Sequence, residues 1–340
     1  MGYQLSRDNM NQLLLALKKD YKIYAPVLLP GQGRFSNTDL IGYGEINRIE
    51  DVVFQQKSYF SPKEVFYPIT QTLFYFTEDE YREPQMNPKD IIVLMRSCDI
   101  HAVTRLDKIM LENGPHPDSY YLQLRSKLKL VLLDCPTSFD NCFCISMGTQ
   151  RTENYSFSLR PDNGAYLCDV KEDFAGLFAS LGKPLQVSPQ FAQQNNQRVS
   201  LPEISENLVS SLAFHKLWDE YKTRCIACGR CNTSCPTCSC FTMQDLFYED
   251  NPQCGERRRV WSSCQIDGFT DMAGGHSFRQ DKGQRMRFKV LHKVYDFKKR
   301  FGLPMCVGCG RCDDVCPEYI SFANCVNKLS DALQEVQQHV

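Results

Sequence analysis

The chain has 340 residues, 39 Lys and Arg against 40 Asp and Glu for a formal net charge of −1, and 18 cysteines. A balanced charge gives no chain-wide pull toward nucleic acid, and the length allows a large core in about two domains. So many cysteines with no secretory leader argue against an oxidised disulfide scaffold and for metal in a reducing, cytoplasmic setting.

The first apolar patch, Leu13 to Leu17, lacks a basic flank and a cleavage site, and no stretch approaches a membrane span. Residues 6–20 instead place Met10, Leu13, Leu14 and Leu17 at helical spacing and predict an amphipathic helix. Short β-type runs follow (Ile23 to Leu29, Leu40 to Tyr43, Leu73 to Phe76), separated by turns such as Pro30-Gly31-Gln32-Gly33. Neither Gly31-Gln32-Gly33 nor Gly42-Tyr43-Gly44 completes a dinucleotide fingerprint, because no third glycine follows at the right offset.

Ile91 to Met95 is a continuous apolar run suited to a buried strand, Ile100 to Leu111 reads as a helix, and Leu128 to Leu133 is a second buried strand. This β-α-β unit makes the two strands parallel, with their carboxyl ends on the sheet edge where ligands collect. Cys98 follows the first strand and Cys135 the second, with Cys142 and Cys144 shortly after. These four thiols are a candidate third [4Fe-4S] site, weighed against four idle core cysteines. Cys168, in the alternating stretch Ala165 to Val170, reads as a core thiol.

Ser188 to Pro202 is polar, rich in Gln and Asn, and marks a domain boundary near residue 200. Ile204 to Arg224 predicts a helix, with Phe214, Leu217, Trp218 and Tyr221 as its apolar stripe. It leads into Cys225-Ile-Ala-Cys228-Gly-Arg-Cys231-Asn-Thr-Ser-Cys235-Pro236, which is repeated as Cys306-Val-Gly-Cys309-Gly-Arg-Cys312-Asp-Asp-Val-Cys316-Pro317.

The spacing C-x-x-C-x-x-C-x-x-x-C-P is that of bacterial ferredoxins, where three thiolates hold a [4Fe-4S] cube and the fourth reaches the other cube. One site is therefore expected from Cys225, Cys228, Cys231 and Cys316, and the other from Cys306, Cys309, Cys312 and Cys235. Gly229 and Gly310 allow the tight bend, and Pro236 and Pro317 end the turn. Arg230 and Arg311 either tune a negatively charged centre or are simply exposed. Zinc prefers two separated C-x-x-C pairs and fits the doubled run poorly.

The stretch 236–305 between the runs adds Cys238, Cys240, Cys254 and Cys264, whose spacing fits no standard template and whose roles stay open. Between Arg279 and Arg300 nine basic residues face two acidic ones, beside an apolar stripe of Met286, Val290, Val294, Phe297 and Phe301. The ordinary reading is a solvated basic helix face, the sharper one a docking surface for an acidic redox partner. His276 reads as structural, and a last helix carries Phe322, Val326, Leu329, Leu333, Val336 and Val340, with Cys325 at its border.

No Ser-His-Asp pattern, phosphate loop, flavin fingerprint or H-E-x-x-H motif accompanies these thiols. Such a chain passes electrons between centres on other polypeptides, without a catalytic centre of its own.

Arg96-Ser97-Cys98-Asp99-Ile100-His101-Ala102, Cys142-Phe143-Cys144-Ile145-Ser146-Met147-Gly148, Ala273-Gly274-Gly275-His276-Ser277-Phe278-Arg279 and the run from Cys306 to Cys312 together resemble one known family. It comprises the A-type, iron–sulfur subunits of anaerobic sulfite reductase and the β subunits of soluble sulfhydrogenases. The resemblance spans about residues 20–320, and motif order looks closest to the sulfite reductase branch. It implies electron relay from a flavin- and NADH-binding subunit to a sirohaem subunit that reduces sulfite to sulfide in the cytoplasm. It also implies that flavin, nicotinamide and sirohaem are held by those partners and not by this chain. The eight run cysteines, and Cys98, Cys135, Cys142 and Cys144, match the family's motifs.

The expected architecture is an α/β domain over residues 1–200 with a parallel β-α-β core and the candidate third site, followed by an α-helical dicluster ferredoxin domain over 201–340. The rival readings are the electron-transfer β subunit of a soluble NiFe hydrogenase and, in a different class, an iron–sulfur protein that binds nucleic acid.

Overall fold

A computed structural model describes every residue except Arg34, Ser36, His339 and Val340, so the last position of the expected C-terminal stripe lies outside the described residues. The chain forms two compact units that interleave in sequence: Met1–Thr137, Arg151–Ala192 and Phe241–Trp261 make one, and Ser138–Gln150, Gln193–Cys240 and Ser262–Val340 the other. The sequence suggested one cut near residue 200. The structure instead assigns two further segments, 138–150 and 241–261, across that cut.

The strands are β1 (Gly2–Ser6), β2 (Tyr21–Leu29), β3 (Leu40–Glu45), β4 (Thr70–Phe76), β5 (Tyr81–Arg82), β6 (Asp90–Met95), β7 (Leu128–Leu133), β8 (Phe157–Asp162), β9 (Ala165–Asp169), β10 (Lys183–Pro184), β11 (Phe241–Tyr248) and β12 (Asn251–Trp261). Eight of them form a mixed sheet in the order β10-β1-β9-β8-β7-β6-β2-β3. Its centre, β2, β6, β7 and β8, is parallel, and its flanks are antiparallel.

Both faces of that centre are covered, which is why β6 and β7 read as unbroken apolar runs. Ile92, Leu94, Val131 and Leu133 face one core with Leu13, Leu17, Phe157 and Phe178. Val93, Met95, Leu130 and Leu132 face the other with Ile100, Val103 and Leu106 of the crossover helix Ser97–Met110. The N-terminal helix, Arg7–Leu17, starts where Ser6 Oγ accepts a hydrogen bond from the Asn9 N–H at 3.2 Å.

The second sheet of this unit, ordered β11-β12-β4-β5, is antiparallel throughout. Its hairpin comes from the stretch between the two cysteine runs. Buried Arg259 of β12 ties it down through an ion pair with Asp118 and a 2.7 Å bond to Gln71 Oε1.

In the other unit the regular elements are all helical among the described residues. The single helix expected over 204–224 is instead four short pieces, Glu206–Leu208, Val209–Ala213, Lys216–Trp218 and Asp219–Arg224. The chain turns at Phe214, which is 84% exposed and not part of the core, and His215 Nδ1 caps the next piece by accepting the Leu217 N–H at 3.2 Å. Trp218 and Tyr221 do enter the core, with Met286, Val290, Phe322 and Leu329.

The basic segment forms Lys282–Leu291, begun by Asp281 accepting from the Gln284 N–H at 2.8 Å. A π-helical turn, His292–Asp296, follows, and Phe297–Phe301 ends at Gly302 in the left-handed region. The last helix is Phe322–Gln338. No helix among the described residues is long and apolar enough to cross a membrane.

Candidate iron–sulfur sites

The two cysteine runs fold alike. In each, the residue two after the first cysteine is left-handed (Ala227 at φ 59°, Gly308 at φ 65°), and so is the glycine two further on (Gly229 at 74°, Gly310 at 69°). This winds the backbone around a point and aims N–H groups at sulfur: Ala227 N–H lies 3.4 Å from Cys225 Sγ, and Gly308 N–H 3.4 Å from Cys306 Sγ. Short helical turns, Arg230–Thr233 and Arg311–Asp314, then carry the third cysteine of each run.

Two hollows result. One, with a cavity volume of about 30 Å³, has Cys225, Cys228, Cys231 and Cys316 in its wall, with Cys312. The other, of about 20 Å³, is lined by Cys306, Cys309, Cys312 and Cys235, with Cys231. The fourth cysteine of each run thus lines the hollow of the other run, and Cys231 and Cys312 face both.

The hollows differ in cover. Cys228 and Ile226 of the first run are exposed, whereas Cys306 and Cys309 of the second are buried. The second run is walled in by the segment 141–149. Phe143 N–H donates to Gly308 O at 2.8 Å, Thr149 Oγ1 donates to Val307 O at 2.6 Å, and Asn141 Nδ2 donates to Asp314 Oδ1 at 2.7 Å. Arg311 is 2% exposed, which overturns the simple exposed reading for it, while Arg230 remains on the surface.

Lys289 and Lys293, expected on a solvated face, point inward. Lys289 lines both hollows and Lys293 the second, with Lys293 Nζ 2.8 Å from Thr237 Oγ1 and 3.4 Å from Cys235 Sγ. Burial pulls the Lys289 ammonium down, but Cys231 and Cys312 outweigh it, so that its pKa is raised. The same balance raises Lys293, through Cys235 and Cys238.

The centre these walls would complete must bind several sulfurs, carry net negative charge once the thiolates are counted, and span thiols that no single ion gathers. A [4Fe-4S] cube meets all three conditions. Among the described residues no set of three or more His, Cys, Asp or Glu is placed to hold a single metal ion.

Three further thiols, Cys238, Cys240 and Cys264, lie behind the first layer. Cys264 Sγ accepts from Asn232 Nδ2 at 3.0 Å, and a hydrogen bond from the Cys240 thiol, against burial, lowers the Cys264 pKa to about 6. Cys254 belongs to the hairpin of the other unit and accepts from Asn251 Nδ2 at 3.1 Å. Cys168 is buried in the sheet core, where burial raises its pKa. Cys325 lies in the helical core, its thiol pushed up to about 11 by burial.

Of the candidate third set, Cys98 opens the crossover helix after β6 and Cys135 follows β7, both at carboxyl ends of parallel strands in the sheet unit. Arg96 reinforces that edge by donating to the Asp134 and Phe54 carbonyls, and Asp134 accepts the Gln190 N–H at 2.8 Å. Cys142 and Cys144 belong to the helical unit. There Cys142 Sγ lies 3.5 Å from the Cys309 carbonyl, and Asn195 Nδ2 approaches Cys144 Sγ at 3.7 Å. Local spacing had no means of revealing the buried lysines or the second layer of thiols, whose surroundings come from distant segments.

Comparison with known proteins agrees with this geometry. Residues 224–320 match the family described as 4Fe-4S dicluster domain. No solved structure matches. Over 334 residues, 93% of this chain and 95% of the relative, the sequence is 28% identical to sulfhydrogenase 2 subunit beta of Pyrococcus furiosus. Residues 224–320 are thus similar to 4Fe-4S dicluster domains, within a chain similar along nearly its whole length to a sulfhydrogenase β subunit.

Proposed function

We propose that this chain is a cytoplasmic electron-relay subunit of a multi-subunit oxidoreductase. Cys225, Cys228, Cys231 and Cys316 hold one [4Fe-4S] cluster, and Cys306, Cys309, Cys312 and Cys235 hold a second. The observation that carries this reading is the pair of adjoining thiol-lined hollows, each walled by three cysteines of one run and the fourth of the other. Bound clusters supply one-electron transfer at low potential. The protein's own part is to hold the thiolates, donate backbone N–H groups to sulfur and keep water from the second site.

Cys98, Cys135, Cys142 and Cys144 hold a third [4Fe-4S] cluster in this reading, and the chain divides into an α/β part, about 1–200, and a ferredoxin part, about 201–340. Support comes from the two sheet-edge cysteines, which follow adjacent parallel strands.

For the complex itself, the motifs favour the anaerobic sulfite reductase arrangement. An NADH- and flavin-binding subunit delivers electrons, and a sirohaem subunit uses them to reduce sulfite to sulfide. The near full-length similarity to a sulfhydrogenase β subunit supports a second reading, in which the chain serves a NiFe hydrogenase.

Anaerobic purification with the native partners separates the two. NADH-driven sulfide release from sulfite, with sirohaem absorbance and loss of activity when this chain is removed, is the expected result. Hydrogen-dependent activity without sirohaem would move the chain to the hydrogenase complex, and a preparation without iron or acid-labile sulfide would overturn both.

A further inference from the structure

Lys289 and Lys293 are one helical turn apart, the first in Lys282–Leu291 and the second in the π-helical turn His292–Asp296. Residues four apart share a face, and this face turns away from solvent: Lys289 is 4% exposed and Lys293 3%. Among the described residues neither ammonium forms an ion pair with a carboxylate. Burying a cation is strongly unfavourable unless an opposite charge lies beside it. Most of the groups around both lysines are sulfurs: Cys231, Cys312 and Cys238 for Lys289, with the Asp313 carboxylate beyond ion-pair distance, and Cys235, Cys238 and Cys306 for Lys293, with the Thr237 hydroxyl at 2.8 Å.

The π-turn has a matching role. A π-turn breaks the regular α-helical hydrogen-bond ladder, and such turns gather at functional sites. Here the Lys293 carbonyl accepts from the Met305 N–H at 2.8 Å and the Cys306 N–H at 3.3 Å. The entrance of the second cysteine run is thereby hung on the residue whose side chain reaches Cys235. Lys289 lies between the hollows, its Nζ 5.1 Å from the centre of the Phe322 ring, which also faces both.

We propose that Lys289 and Lys293 are positioning residues for the two clusters, Lys289 as a cation shared by both and Lys293 as a cation serving the second alone. The inference rests on the two-cluster reading. Each ammonium stabilises the more negative, reduced state of the cluster it faces and so raises its potential. The shared lysine holds the two potentials high together, and the second sets the step between them.

The test uses the full chain, purified anaerobically, with midpoint potentials followed by electron paramagnetic resonance and iron measured on each sample. Lys289→Met is expected to shift both cluster components to more negative potential. Lys293→Met is expected to shift one component, and Lys289→Arg and Lys293→Arg to return potentials toward the parent values. The arginine variants also guard against a methionine variant that fails to load iron, since retained charge with retained potential supports the same electrostatic role. Fully loaded methionine variants with unmoved potentials would overturn the lysine role while leaving the clusters in place. An unmodified chain without cluster signals would overturn the two-cluster reading itself.

Discussion

Gly229 and Gly310 occupy the same position of the two runs and nearly the same backbone conformation, φ 74° and 69°. An alanine at either pays the left-handed penalty, about 1–2 kcal/mol. The surroundings then separate them. A Cβ on Gly229 would meet side-chain atoms, Ile266 Cγ2 at 2.9 Å and Ser263 Cβ at 3.1 Å, which small rotations can move. A Cβ on Gly310 would stand 2.1 Å from the Asn141 carbonyl oxygen and 2.5 Å from its carbon. That backbone belongs to the segment held by Phe143 and Thr149 against the second run, so relief requires moving the segment. Overpacking of this kind adds roughly 1–3 kcal/mol. Gly229→Ala should therefore cost about 1–2 kcal/mol and Gly310→Ala about 2–5 kcal/mol. Anaerobic urea unfolding, read as midpoint at constant slope with iron retained on each chain, measures both. Equal losses, or a larger loss at Gly229, would refute the reasoning, because the strain common to both positions cancels in the comparison.

Crossed ligation gives a second prediction: Cys316→Ser should disturb the same spectroscopic component as Cys228→Ser, and Cys235→Ser the same one as Cys309→Ser. Pairing within each run, with Cys316→Ser resembling Cys309→Ser, would show that the hollows are misassigned. A third concerns pH. Burial, then Lys293 and Arg279, lowers His292 to about 4, so the folded chain keeps this imidazole neutral while the unfolded chain protonates it near its ordinary value. The stability is present above about pH 6.5 and lost as pH falls toward 4, at most about 3 kcal/mol. His292→Phe, which keeps an aromatic ring against Phe288, should flatten that part of the acid dependence in urea titrations at pH 7 and pH 5. Parallel slopes for the two chains would count against it.

Much of the sheet unit was legible because its signals are local. The unbroken apolar runs at β6 and β7 mark strands covered on both faces, and the helix between them carries its own periodicity. The helix expected over 204–224 failed at Phe214, whose place in an apolar stripe said nothing of the turn that exposes it. The hairpin β11 and β12 was missed because it lies between two ferredoxin runs and pairs with β4, more than 150 residues earlier in the chain. Lys289 and Lys293 looked solvated because a buried cation is unfavourable in isolation. Their stabilising sulfurs come from both cysteine runs.

The sequence by itself determined the chemistry of the centre: two copies of one thiol spacing, glycines where the backbone must turn left-handed, and a parallel β-α-β edge carrying two more cysteines. These are properties of a few bonded neighbours, and the same spacing bends the same way wherever it occurs. Only the tertiary structure decided which run is sheltered by the segment 141–149, which basic residues are buried among the thiols, and how the chain interleaves into its two units. Those features depend on charge, burial and backbone approach between segments far apart in sequence, where the free energy of each group is fixed by what folding brings beside it.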